Sequence, residues 1–131
     1  MGLRRRHGEP ELASIYHPIE FGLADEEQAA QMLALVRRTF QWENLANGGK
    51  LVWSSNWYPV YPNGRQHSTR DLIFAECLNT ASAFARTGAA EELLQLLRGA
   101  VAATLAGPMP GGLTCHANPD GSQRANEDFT D

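Results

Sequence analysis

The sequence predicts an all-α domain, and three observations carry that expectation. A capped, amphipathic segment begins at Asp25, a strongly apolar helix is expected over Thr69–Thr87, and a third helix over Ala90–Ala106 follows it across Gly88. The first is the best defined. Asp25 can cap the opening turn, Gln28 stands three residues on to complete a capping box, and Glu26 and Glu27 favour the positive end of the helix dipole. Ala29, Met32, Leu33, Val36 and Phe40 then keep helical spacing, and Arg37 and Arg38 suit its carboxyl end.

The second helix has no single stripe. Leu72, Ile73, Phe74, Cys77, Leu78, Ala81, Phe84 and Ala85 occupy most of its circumference, so it should be buried on several sides. The exception is a polar line of Glu76, Asn79 and Thr80 at spacings of three and four. The third helix gathers Leu93, Leu94, Leu97, Val101 and Leu105 on one face and ends at Gly107-Pro108. The short turn at Gly88 makes these two an antiparallel hairpin. Residues 1–14 read as a loose polar arm, Ile15–Leu23 as an extended or irregular stretch broken by Pro18 and Gly22, and Asn47-Gly48-Gly49 as a chain break. Leu51–Trp53 has strand character, but one strand without an evident partner does not make a sheet. The end of the chain, dense in Gly, Pro, Asn and Asp, is loop. A helix so apolar needs more cover than three helices provide, which reads as part of a larger helical body.

Composition excludes several classes. At 131 residues, 43% hydrophobic and 20% charged, the chain is one folded domain or a piece of one. A net charge of -4 gives no field favouring nucleic acid or an anionic membrane, and no run approaches the ~20 apolar residues of a membrane helix. Arg4-Arg5-Arg6 lacks the apolar run of a secretory signal and reads as a solvated tail; Arg6 stands where myristoylation needs Ser or Thr. Cys77 and Cys115 read as two reduced thiols, with a disulfide left open, and the cytoplasm is the default compartment. His17, His67 and His116 are scattered without ligand spacing, so neither metal nor cofactor is expected.

The chemistry concentrates in Leu51–Asn79. Trp53, Trp57, Tyr58 and Tyr61 crowd a Pro/Gly-punctuated loop that leads through Arg70 and Asp71 to Glu76. Aromatic faces beside carboxylates and amides suit a polyhydroxylated ligand: stacking takes a sugar's C–H face, and a carboxyl group handles the proton. Glu76, alone on an apolar helix, is the first candidate acid, its pKa raised if desolvated; a structural pairing with Arg70 or Arg86 is the plainer reading. Asp71 sits at the expected helix start, where an anion is favoured. Trp53 and Trp57 are candidate sugar platforms or core plugs, with Asn56 and Tyr58 alongside. Arg70 is a candidate ligand group or an ion-pair partner.

The motifs YHPIEFGLADEEQAAQML, LVWSSNWYP, RDLIFAECLN, GPMPGGLTCH and GSQRANEDFTD resemble, in that order, the catalytic domains of bacterial six-hairpin glycosidase-like proteins over residues 15–131. The resemblance implies a partial (α/α) toroid of helical hairpins with long Gly/Pro-rich and aromatic loops. It implies acid/base hydrolysis of a glycosidic bond in an oligosaccharide or polysaccharide by paired carboxylates, drawn from Asp71, Glu76, Asp128 and Asp131. It also implies that most of the toroid is missing, so that the chain self-associates or meets a partner chain that completes the ring. The competing expectation is a non-catalytic helical module that docks on a partner through its apolar surface.

Overall fold

The computed structural model describes residues 10–56, 70–107 and 111–124. Four helices occur in it: α1 (Leu12–Glu20), α2 (Glu26–Thr39), α3 (Phe74–Arg86) and α4 (Ala90–Ala106). Between and after them lie two antiparallel strand pairs, β1 (Trp42–Asn44) with β2 (Lys50–Val52), and β3 (His116–Ala117) with β4 (Gln123–Arg124). The domain is therefore mixed α/β, and the all-α toroid of helical hairpins is not its fold.

The expected elements are met unevenly. α2 carries the full capping box, with Asp25 accepting from the Gln28 N–H and the Gln28 side chain accepting from the Asp25 N–H. α4 keeps its predicted bounds, and Gly88, at φ 75°, closes the turn from α3. By contrast, α1 begins inside the predicted arm and runs through the stretch expected to be irregular. Its core side is Leu12, Ile15, Tyr16 and Ile19, a spacing of three and four that outweighs Pro18. α3 starts five residues later than predicted because Arg70–Ile73 is taken up in extended pairing. Ser54 N–H donates to Asp71 O at 2.9 Å, Ala117 N–H to Leu72 O at 2.9 Å, and Phe74 N–H to Cys115 O at 3.0 Å.

The strand at 50–52 has the partner that the sequence did not reveal. Asn47-Gly48-Gly49 is the turn of a hairpin, with Trp42 facing Val52, Glu43 facing Leu51 and Asn44 facing Lys50. α3 lies against β2, where the buried Cys77 Sγ sits 3.5 Å from Val52 N and 3.4 Å from Val52 O. Burial pushes the Cys77 thiol up to about 12, so it is a core group. Cys77 and Cys115 are both free thiols.

Of the predicted face of α4, Leu93 packs partly against the core and the other four residues turn outward. Leu96, Gly99, Ala100 and Ala103 are buried, whereas Leu94, Leu97, Val101 and Leu105 are exposed at 58%, 37%, 54% and 72%. Close approach explains the outward turn. A Cβ on Gly99 would stand 2.7 Å from Lys50 O, and one on Gly49 would stand 2.6 Å from Gly99 N. The helix backbone lies almost on the hairpin, a contact that only the small-residue face allows.

Candidate functional site

The extended segment 70–73 fixes two polar groupings. The first is a buried ion cluster. Asp71, 1% exposed, accepts from its neighbour Leu72 N–H at 2.8 Å and from the Arg124 guanidinium, and His116 Nδ1 lies 3.3 Å from the same Oδ2. His116 is fully buried, held by the bridge between Ile73 and His116 and by the β3–β4 pair. Asp71 thus lies in the extended segment three residues ahead of α3, buried among these groups, rather than at the helix start expected of it. His116 and Arg124 were not among the predicted site residues. His116 drew notice only as one of three scattered histidines, and Arg124 only as part of a polar, loop-like segment.

The second grouping surrounds Trp53. Its indole is 5% exposed, the Arg70 guanidinium lies 4.1 Å over its ring, and its N–H donates to Glu43 Oε1 at 2.7 Å. Arg70, 5% exposed, also donates to Gln41 Oε1, whose amide in turn donates to Glu43 at 2.9 Å. Trp53 and Arg70 therefore hold each other in the interior. The contact is a buried cation–π pair, which is the core-plug arrangement of the two alternatives open for Trp53. Asn56 is half-buried at the edge of the described chain. Trp57, Tyr58, Asp128 and Asp131 lie outside the described residues.

Glu76 stands apart from both. It occupies the first turn of α3, half-buried against α1, with the Tyr16 hydroxyl and Asn79 beside it. Desolvation raises its pKa above the usual carboxylate value, outweighing the lowering from the Tyr16 hydroxyl and from His17. Tyr16 is pushed up to about 12, first by burial and then by the Glu76 charge. The predicted polar line thus turns towards α1, and Thr80 completes it by donating to Glu76 O at 2.7 Å. No arginine pairs with Glu76 among the described residues.

The chain matches no family model, no curated protein and no solved structure. What the site can do is therefore read from the molecule itself. A cleft of about 510 Å³ lies where Gly22, Asp25 and Ala29 face Arg86, and a smaller one of about 240 Å³ lies between Leu45, Ala103 and Gly121. Neither includes any of the predicted site residues. Among the described residues no three His, Cys, Asp or Glu side chains converge on a metal position, and no helix is long and apolar enough to cross a membrane. Among the described residues, the exposed large hydrophobic side chains are Phe21 and Leu23 after α1 and the row Leu94, Leu97, Val101 and Leu105 on α4.

Proposed function

We propose that this domain is a protein-docking module whose binding surface is the outer face of α4. The observation that carries this reading is the row Leu94, Leu97, Val101 and Leu105, exposed on a helix whose opposite face is already packed. Side chains of that size, at those exposures, present on the order of 400 Å² of apolar surface, the scale at which a patch on a monomer is often functional. Its helical geometry suits an apolar helical surface on the partner. The triple variant Leu94→Glu/Val101→Glu/Leu105→Glu tests this. A docking face tolerates the charges, so the variant folds, melts within a few degrees of wild type and loses hydrophobic-dye binding. Unfolding of the variant would mean that the row belongs to the core.

A second reading is favoured by one observation, the desolvated Glu76 carboxyl beside Tyr16. A half-buried carboxyl whose pKa is raised by desolvation is the kind of proton donor that glycosidic-bond hydrolysis uses. On this reading Glu76→Gln cuts hydrolysis of an oligosaccharide panel by orders of magnitude while the fold survives. Equal turnover by wild type and variant, or none by wild type, removes it.

A further inference from the structure

We infer that α1 is a pH-operated latch on α3, closed while the Glu76 carboxyl is protonated and loosened once it ionises. The latch is independent of the docking face and needs no catalytic role for Glu76. Among the described residues α1 packs on α3 more than on any other element, with Ile15, Tyr16 and Ile19 buried. Its contact with α2 is lighter, and the Leu12 N–H donates to Ser54 O at 2.8 Å where the helix begins. The α1–α3 seam is therefore what chiefly holds α1 in place, and Glu76 puts a carboxyl group into it. Its Oε2 is closed off from water and has no hydrogen-bond partner among the described residues. An ionised carboxylate only accepts, so an unmet buried oxygen carries the cost of its lost hydration. A protonated carboxyl loses less on burial and can donate to the Tyr16 hydroxyl beside it.

The groups around the seam leave this preference in force. From the α1 side Glu76 faces Tyr16, His17 and, just ahead of the helix, Glu11. Glu11 repels the ionised form, whereas the Tyr16 hydroxyl and His17 favour it. His17 is exposed, however, and its Nδ1 lies 4.0 Å from Glu20, which also bears on the Tyr16 hydroxyl. The remaining neighbours are the Cys77 and Cys115 thiols, both raised above the ordinary thiol value and so neutral up to about pH 8. Desolvation outweighs the rest and raises Glu76 above the ordinary carboxylate value. A group raised in this way lends its full stability below that ordinary value and loses it as the pH climbs through the folded value. The seam is tight in acid and slackens as the pH rises.

Hydrogen–deuterium exchange of the full chain from about pH 4 to about pH 8, normalised to the intrinsic rate at each pH, tests the latch. The readout is the protection of the α1 amides relative to those of α4, which cancels any change shared by the whole domain. In wild type this ratio falls about threefold or more as the pH rises. Glu76→Gln, neutral throughout, makes it flat, and His17→Gln retains the fall. Tyr16→Phe keeps the ring in the core but removes a hydroxyl that favours the ionised carboxylate, so the fall moves to higher pH. The latch is overturned if the wild-type ratio is constant, or if the fall persists in Glu76→Gln, which would assign it to His17. Should Glu76→Gln fail to fold, Tyr16→Phe decides: no shift, or a shift to lower pH, overturns the latch.

Discussion

Asp71 lies at 1% exposure, with the Leu72 N–H donating to Oδ1, the Arg124 guanidinium donating to Oδ2, and His116 Nδ1 3.3 Å from Oδ2. Removing the guanidinium takes a charged partner from a buried carboxylate. Arg124→Ala should cost on the order of 3 kcal/mol in urea unfolding, since breaking a buried pair strands the remaining charge. Replacing both members, as Asp71→Asn/Arg124→Met, should cost less than the two single losses added together. A loss within about 0.5 kcal/mol for Arg124→Ala would show the pair to be solvated. Glu76 makes the opposite prediction. A carboxyl whose pKa is raised by folding binds more protons in the native state. Its contribution is full below the ordinary value of 4.5 and is lost as the pH climbs through the folded value. Glu76→Gln removes that dependence, so the stability difference should move in favour of the variant as pH rises from about 4 to about 8. A difference that stays flat across this window would contradict the burial of Glu76.

At the scale of elements, Gly99 decides how α4 sits. Alanine there gains about 1 kcal/mol in helix propensity, but its Cβ meets a backbone carbonyl that cannot rotate away. Overpacking of this kind costs about 1–3 kcal/mol, so Gly99→Ala should lower the melting temperature, whereas a gain would mean that helix and hairpin are not in contact. The same contact explains what the sequence could and could not tell. Local signals were legible: the Asp25–Gln28 box and the Gly88 stop each act within a few residues, and both are found where they were read. Periodicity marked α4 as helix but set four of its five face residues on the wrong side. Large apolar residues ordinarily face the core, and here the close approach of β2 selects Gly99, Ala100 and Ala103 instead. α1 was hidden by Pro18, although its 12, 15, 16, 19 spacing was present in the chain. The strand pairs are two or three residues long, too short for an alternating pattern to stand out. The Asp71–Arg124 pair joins residues 53 positions apart, a distance over which sequence carries no register.

At the scale of the whole molecule, one helix is divided between two environments. The inner face of α4 packs on the β1–β2 hairpin and α3, and its outer face is exposed. The proposed role depends on that division rather than on any catalytic group. The most direct measurement is urea unfolding of Leu96→Ala beside Leu105→Ala, at protein concentrations low enough that association makes no contribution. Leu96 is fully buried and Leu105 is 72% exposed. The first variant should lose about 2–5 kcal/mol, and the second should stay within about 0.5 kcal/mol of wild type. Equal losses, or a larger loss at Leu105, would place the outer row in a core and contradict the docking surface.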